Sequence, residues 1–281
     1  MTEGTVQARR GLRQFGRSVR VVVGPPGGKG RTWTAPLRIN FNVKKTGGKK
    51  PDEGKVQIYN LSPDSRGFVD QDGLVVFVYA GYGAAPELVF QGAIDDTTHK
   101  QDGLDWVTEI EARDGGAEFR EGAVFETFKP PLDSTTLLNR VAQAMGLRFA
   151  VIPPDLPVLN FSQGYTLATT GRDALDEITT SLGAQWLVQD GELVVVVAGK
   201  ATPEVAVLLT PQSGLVGRPE VTKEGVELKA LLNGRIKPKR PLRLESRTIT
   251  GWFMAEEVTH QGDSGWQQDF YTVIKATEVA P

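Results

Sequence analysis

The sequence contains no cysteine among its 281 residues, and only two histidines. Without cysteine the chain forms no disulfide framework, no thiolate metal site and no thiol nucleophile. Its longest apolar run, residues 193–198, is far too short to cross a bilayer. The first 24 residues carry basic side chains but lack the apolar stretch of a secretory signal. We therefore expect a chain that is made and kept soluble in a cytoplasm, with no membrane partner.

Acidic residues are missing from a long N-terminal stretch, with none between Glu3 and Asp52. Residues 1–51 carry 12 Lys and Arg against one Glu, a net +11, and the remainder carries 20 basic and 33 acidic residues, a net −13. This basic block indicates an electrostatic contact with an acidic partner or a neighbouring copy, or else solvated loops around a strand. Nucleic-acid binding is a weaker interpretation, because few aromatic side chains accompany the basic ones.

The chain contains a diverged internal repeat. Residues 95–99 and 256–260 both read acid-acid-x-Thr-His, and they hold the only two histidines. A short turn and a matching strand follow each copy. Half-buried strands often look alike, but alternation alone does not repeat the same chemistry in the same order. The repeat positions are Asp95, Asp96, Thr98, His99, Trp106, Thr108, Ile110 and Ala112 in the first copy, and Glu256, Glu257, Thr259, His260, Phe270, Thr272, Ile274 and Ala276 in the second.

The repeat extends upstream. Residues 54–61 align with residues 225–231, so that Val56 matches Val226 and Ile58 matches Leu228, with the glycine shifted by one position. A protein that folds one β unit twice has a pseudo-twofold relation within each subunit. Three such subunits would form a ring of six similar units. This geometry indicates a symmetry adaptor rather than an enzyme.

Short alternating strands separated by turn signals dominate both ends of the chain, which is typical of a barrel or sandwich. In the middle, helical spacing predicts a helix over 134–145, capped by Asp133 or Ser134, and a second helix that opens at Thr170. A hairpin is predicted across Asp190-Gly191. We predict a mainly β fold with two related tube-like β-barrel or sandwich domains, residues 1–128 and 205–281, flanking a small α-β-α-β-β domain, residues 129–204.

Carboxylates beside each histidine are the candidate chemical groups, since such sets bind metals or transfer protons. On a regular strand, Asp95, Thr97 and His99 share one face while Asp96 points to the other. Two ligands on a face are fewer than the three of a catalytic zinc site, and occurrence in both copies favours a hydrogen-bonded corner of the fold. A Ser nucleophile elbow and phosphate-loop spacing are also missing. We expect no catalytic residue, metal or cofactor.

Several segments resemble one protein family. Residues 56–62, which include Val56, Ile58, Tyr59, Asn60 and Leu61, are similar to a segment of the baseplate hub proteins of contractile-tailed bacteriophages. Residues 231–233, 251–252, 258–263 and 270–276 resemble the end of that family, with Gly234 where a proline is expected. These segments cover roughly half the chain. The middle domain resembles the family only in its position and its α/β type.

The resemblance implies a homotrimer with pseudo-sixfold symmetry. It implies a tail tube protein on one face and a central spike protein on the other, with baseplate wedge and tape-measure proteins as further partners. DNA would pass through the ring during ejection without specific binding, in a channel that we hypothesise to be lined by the acidic body. The expected location is the tail baseplate of a virion, assembled in the host bacterial cytoplasm.

Three alternatives remain open from the sequence. One is the hub of another contractile injection machine, such as a phage-tail-like bacteriocin or a secretion spike. A second is a cell-wall hydrolase that depends on His99 or His260. A third is a carbohydrate-binding module that uses Trp33 or Trp252.

Overall fold

The computed structural model describes residues 16–48, 50–114, 123–151, 153–265 and 269–279. Residues 1–15 of the basic block lie outside this description. The first β unit comprises β1 (Arg17–Gly24), β2 (Arg31–Thr34), β3 (Ile39–Thr46), β4 (Glu53–Tyr59), α1 (Pro63–Val69), β5 (Val75–Tyr82), β6 (Glu87–Asp102) and β7 (Asp105–Arg113).

The remaining elements form the insert and the second β unit. The insert comprises β8 (Ala123–Phe128), β9 (Leu132–Asp133), α2 (Ser134–Ala144), β10 (Arg148–Val151), β11 (Asn160–Phe161), β12 (Tyr165–Thr170), α3 (Gly171–Ser181), β13 (Ala184–Gln189) and β14 (Glu192–Val197). The second unit comprises β15 (Val207–Leu209), β16 (Leu215–Val221), β17 (Val226–Leu231), β18 (Pro241–Glu245), β19 (Thr250–Asp263) and β20 (Phe270–Glu278).

Both β units belong to one continuous sheet, whose main path runs β16-β17-β20-β19-β3-β4-β7-β6-β5-β1-β2. The antiparallel pairing of β19 with β3 joins the two units. Leu232 and Phe270 of the second unit pack into the core of the first, so the units also share apolar contacts. The mainly β architecture with an α/β insert is confirmed.

The two units have the same strand wiring. The path β3-β4-β7-β6-β5 in the first unit matches β16-β17-β20-β19-β18 in the second. His99 lies opposite Thr108, and His260 lies opposite Thr272. Both long strands also shift register at the same repeat position, just before Asp96 and just before Glu257. A shared bulge and a shared histidine register support a true duplication.

The register corrects the upstream part of the predicted alignment. Val56 lies opposite Ile110, whereas Leu228 lies opposite Ile274, so Val56 corresponds to Leu228 rather than to Val226. The predicted alignment was therefore wrong by two residues. Strand side chains alternate with a period of two, so a two-residue slip keeps the same inward pattern and leaves no trace in the sequence.

The insert folds around its own apolar core. Asp133 and Thr170 cap α2 and α3 with their side chains, as the sequence predicts. Asp190 has φ 53° and Gly191 has φ 75°, the positive values that a two-residue hairpin turn requires. Strand β8 pairs with β12, and Phe128 packs within the insert core. We therefore propose that the insert begins before β8 rather than at residue 129.

Candidate functional site: a closed and an open strand junction

The first feature of the site is the pairing of β3 residues 40–46 with β19 residues 257–263, here called the closed junction. Val43 lies opposite His260 in this pairing, and both side chains are completely buried. The edges of the two β units therefore satisfy each other's backbone groups within one chain. The antiparallel pairing of β3 with β19 thus joins the first β unit to the second in one sheet.

The hairpin turn of the insert lies against the closed junction. The Lys45 Nζ atom lies 2.6 Å from Asp190 Oδ1, and the Lys237 Nζ atom lies 2.7 Å from Asp190 Oδ2. The Asp114 carboxylate accepts the backbone N–H groups of Asp190 and Gly191. Lys45 is 1% exposed and Asp190 is 5% exposed, so these charges are compensated away from water.

Burial and neighbouring charges set the protonation states here. Burial works to raise the pKa of Asp190, but Lys45 and Lys237 outweigh it and hold this pKa below its ordinary value. Burial, together with the nearby Lys45 charge, lowers the pKa of His260 to about 3, so its imidazole is neutral. Burial also raises the pKa of Asp52 to about 8, although Lys45 and the Thr46 N–H oppose this rise.

His260 makes the bond that defines the repeat. Its Nδ1 atom lies 3.0 Å from the Thr272 hydroxyl oxygen. Its Nε2 atom is buried near the Ile236 backbone and makes no well-formed hydrogen bond within the part of the chain that the structure describes. A neutral ring with no exposed atom is positioned for packing rather than for proton transfer.

His99 makes the same bond in the first unit. Its Nδ1 atom also lies 3.0 Å from a threonine hydroxyl, that of Thr108. Its Nε2 atom faces Asp70 Oδ1 at 2.9 Å, and the Asp70 side chain is 49% exposed. The repeated bond is thus identical in both units, whereas the surroundings differ.

The second feature is a pair of strand edges that are equivalent to the closed junction by the repeat but have no strand partner in the described residues. By the repeat, β6 residues 96–102 correspond to the paired segment of β19, and β16 corresponds to β3. In the ranges given above, no strand pairs with the outer edge of β6 at 96–102 or with the free edge of β16. These two edges are here called the open junction.

Apolar side chains are exposed along the open junction. Val221 pairs with Val226 as Val43 pairs with Gly54, so Val221 is the equivalent of Val43. Val43 is completely buried, but Val221 is 77% exposed. Val216 on β16 is also exposed, as are Leu104 and Trp106 beside the end of β6. Unpaired strand edges with exposed apolar residues are the features through which one chain can pair with another.

Sequence reasoning missed part of the repeat at this place. Residues 43–47 and 221–225 share the pattern Val-x-Lys-x-Gly. The pattern is short and its copies lie in strands of different length, since β3 continues to Thr46 but β16 ends at Val221. Only the strand register makes the two segments equivalent.

The predicted acidic residues do not gather around the histidines. The register shift at Asp95 adds one residue to β6, and the Asp95 carboxylate lies 3.5 Å from the Arg113 guanidinium, on the face opposite His99. The expectation that Asp95 and His99 share a face was therefore wrong, because it assumed a regular strand. Glu256, the equivalent of Asp95, pairs with Lys239. Over the described ranges, no group of three or more candidate ligands is placed to hold a metal ion.

Residues 56–62, the segment that resembles the hub family, include the turn by which the chain leaves β4. Asn60 has φ 59°, its backbone N–H donates to the Trp106 carbonyl at 2.7 Å, and its side-chain oxygen accepts the Trp106 N–H at 3.0 Å. Leu61 is buried, and the Ser62 hydroxyl caps α1. The helix α1 itself was missed because it is only seven residues long.

Gly234, which departs from the expected proline, lies where the second unit approaches the first. A Cβ atom at this position would lie 3.0 Å from the Val89 side chain and 3.1 Å from Glu87 Cβ. Such contacts are tighter than those of ordinary side chains. The missing side chain therefore allows the two units to pack closely.

The polar face of the sheet carries charges of both signs. Lys55 lies 2.7 Å from Glu109 and 3.3 Å from Glu111, and Lys275 lies 2.8 Å from Glu257. Cross-strand pairs of this kind neutralise the face locally. The face is therefore mixed in charge rather than acidic.

Described residues of the basic block form ion pairs inside the chain. Arg31 pairs with Asp64, Arg38 with Asp263, Lys44 with Glu257 and Lys45 with Asp190. These contacts are with acidic residues of the same chain.

In the described residues, no helix is long and apolar enough to span a membrane.

Comparisons with known proteins give the family. Solved structures share the fold: the 43 kDa tail protein of prophage MuSo2 from Shewanella oneidensis (TM-score 0.64, 13% identity, 93% of this chain and 98% of that one) and a tail protein from Neisseria meningitidis (TM-score 0.61, 14% identity, 94% and 97%). The E. coli c3393 protein, described as a type VI secretion component similar to the T4 tail proteins gp27 and gp5, also matches (TM-score 0.55, 8% identity, 92% and 77%).

No curated protein sequence matches this chain significantly. A family model described as baseplate hub gp41 matches residues 18–272, which include both β units and the insert. The resemblance seen in the sequence is thereby confirmed, and it identifies a structural component of the phage tail. The chain belongs to the baseplate hub gp41 family.

Proposed function

We propose that this protein forms a homotrimeric, pseudo-sixfold ring that joins the hexameric tail tube to the trimeric central spike. The observation that carries this proposal is the open junction, whose two edges are the repeat equivalents of a junction already formed within the chain. The free edge of β16 in one copy pairs with the outer edge of β6 in the next. Each contact is head-to-tail, and a head-to-tail contact that closes yields a ring.

Three copies are the number that the tail symmetry requires. Each chain contributes two β units and one closed junction, so three chains give six units with alternating intrachain and interchain junctions. A tube with six subunits then meets six similar surfaces, whereas a spike with three subunits meets three identical chains. Closure also removes strand edges that would otherwise recruit other chains.

The partners follow from this position. The membership in a baseplate hub family supports contact with a tail tube protein and a spike protein, and wedge and tape-measure proteins are further neighbours. The fold shared with the E. coli secretion component, whose description names T4 tail proteins, supports the same placement. In this proposal the ring is assembled in the cytoplasm of the host bacterium.

The polar face of the sheet is proposed to line the DNA channel. Its lysines are held by glutamates, as Lys55 is by Glu109 and Glu111. Lysines paired in this way contribute less to phosphate binding, because phosphate contacts depend on free cationic groups. DNA would therefore pass without specific binding through a lining that is neutral by pairing, rather than acidic as first hypothesised.

An enzymatic role has weaker support. His260 is buried with a lowered pKa, and Asp95 lies on the opposite face from His99. The hydrolase alternative predicts that His99→Ala abolishes a cell-wall activity, whereas the hub proposal predicts that this change affects only stability or assembly. A turbidity assay on peptidoglycan, with the wild-type chain as the reference, separates the two.

The ring itself is tested by native mass. Light scattering after size exclusion should give a species of three 30.5 kDa chains, about 92 kDa, and particle images should show a ring with six similar lobes. The hub of a bacteriocin or a secretion machine would give the same ring, and only the accompanying tail genes distinguish it. A chain that stays monomeric at all concentrations, alone and co-expressed with its tail neighbours, would overturn the proposal.

A further inference from the structure

We propose that Lys223 of one copy forms an ion pair with Asp70 of the next copy, beside His99, in the open junction. This inference rests on the proposed ring and assigns it a residue-level contact. The closed junction supplies the precedent, because there a lysine of β3 binds an acidic group beside the histidine of the neighbouring strand. There the Lys45 ammonium, two residues after Val43, binds Asp190 next to His260.

The repeat supplies the equivalent lysine. Lys223 stands two residues after Val221, as Lys45 stands two residues after Val43. Strand β16 ends at Val221, and the Thr222 N–H donates to the Gly225 carbonyl at 2.8 Å, so Lys223 lies at an exposed hairpin tip. Among the residues that the structure describes, it has no ion-pair partner. Its flexible stem therefore carries a free cation at the edge that meets the next copy.

The repeat also locates the acid. In the closed junction the insert brings Asp190 to the histidine, but the insert occurs once per chain and its Asp190 is already held there by Lys45 and Lys237. At His99 the acid is already present, because Asp70 caps the C-terminus of α1 and binds the His99 Nε2 atom at 2.9 Å. Its carboxylate is half exposed and binds the ring nitrogen of His99 that is not held by Thr108 of β7. Asp70 therefore takes the place that Asp190 has in the closed junction.

Charge reversal tests this contact. Asp70→Lys and Lys223→Asp each place like charges opposite one another, and each should weaken assembly about tenfold or more, measured as the concentration for half-assembly. The double variant restores opposite charges at every interchain contact and should return assembly towards the wild-type value. Glu126→Lys on β8 and Lys29→Asp in the β1–β2 loop are exposed control reversals that should leave assembly unchanged.

Mixing the two single variants gives a sharper result. In a closed ring of three, a mixture always contains at least one contact between two copies of the same variant, so one of the three contacts stays repulsive. The mixture should therefore assemble less well than the double variant. Full recovery on mixing would indicate an even-numbered or open assembly and would overturn the trimeric form of this contact.

The outcomes separate this contact from the ring. If the wild-type chain forms the trimer but both single reversals assemble normally, the Asp70–Lys223 pair is wrong and the proposed function stands. If the double variant fails to recover although it folds with the wild-type melting temperature, the pair is also wrong. If the wild-type chain forms no ring under any condition, the proposed function fails first.

Discussion

The two histidines share one hydrogen bond and differ in almost everything around it. His260 and His99 each place Nδ1 3.0 Å from a threonine hydroxyl on the neighbouring strand. His260 is completely buried on a strand that is paired on both sides, near Asp190 of the insert, whereas His99 lies 2.9 Å from the half-exposed Asp70. The histidine–threonine bond is therefore a feature of both β units. The burial of each histidine differs with the junction beside it, which is closed at His260 and open at His99.

This difference shows what a duplicated unit allows. One junction is satisfied within the chain and contributes to its stability, while in the proposed ring the equivalent junction is formed with another copy. Residues at the closed junction should therefore affect the stability of the single chain. Their equivalents at the open junction should affect assembly instead.

The largest contrast is expected between the two aspartates. Asp190→Ala leaves the buried Lys45 and the partly buried Lys237 without this partner, and this should lower the free energy of unfolding by about 3 to 5 kcal/mol. Asp70→Ala removes an exposed group, and in the single chain it should cost less than about 1 kcal/mol. Urea unfolding of the two variants gives the comparison, and equal losses would contradict the distinction between the junctions.

The next largest difference in unfolding free energy is expected between the equivalent residues Val43 and Val221. Val43→Ala removes buried methyl groups and should cost about 2 kcal/mol of unfolding free energy, by the general scale for truncated core side chains. Val221→Ala removes exposed ones and should change the stability of the single chain by less than about 0.5 kcal/mol. The reverse order is expected for assembly. Val221→Asp should leave a folded monomer, and a Val221→Asp chain that still forms rings would show that β16 is not an interface strand.

The closed junction should also have a characteristic pH dependence. Asp52 has a folded pKa of about 8 against an ordinary 3.8, so the folded state retains a proton over this range and loses stability as the pH rises. His260 has a folded pKa of about 3 against 6.5, so its contribution is lost as the pH falls below 6.5. Between pH 6.5 and 8, Asp52 changes the stability with pH and His260 does not.

Asp52→Asn isolates this effect, because the amide keeps an oxygen for the Thr46 N–H but does not ionise. The wild-type chain should lose up to about 1.4 kcal/mol per pH unit between 6.5 and 8 through this group, and the variant should not. Urea midpoints at several pH values measure the difference. Parallel curves for the two proteins would show that Asp52 is ionised throughout.

The smallest contrast concerns the shared bond itself. Thr272→Val leaves the sealed His260 ring without its hydroxyl partner and should cost about 1 to 3 kcal/mol. Thr108→Val removes the same bond from His99, whose ring is reached by solvent, and should cost about 1 kcal/mol less. Thermal unfolding of both variants tests this. A larger loss for Thr108→Val would mean that the His99 environment is more closed in solution.

The sequence predicted the elements better than their junctions. Alternation and capping residues such as Asp133 and Thr170 determine local structure, so the strands, the two insert helices and the hairpin at Asp190 were predictable. The register of β4 and β17 was not, because a slip of two residues preserves the inward pattern. The bulge at Asp95 was also hidden, since one extra residue in a strand has no distinctive composition.

The candidate site was only partly visible in the sequence. The repeat pointed to both histidines, and their shared bond to threonine agrees with a role in the fold. The role of Asp190 was missed because its Asp-Gly sequence is fully explained as a turn signal. The partnership of Lys45 with Asp190 joins residues 145 positions apart, and no local pattern predicts such a contact.

The pairing of β16 in one copy with β6 in the next is most directly tested by cysteine cross-linking, because the natural sequence contributes no other cysteine. Asn42 and Gln261 face each other in the closed junction, so the pair Asn42→Cys/Gln261→Cys should form a disulfide within one chain. Their equivalents are Glu220 and Lys100. Under oxidation, Glu220→Cys/Lys100→Cys should give covalently linked chains up to a closed trimer of about 92 kDa, built from 30.5 kDa subunits. A product that remains monomeric, while the closed-junction pair cross-links fully, would contradict the account.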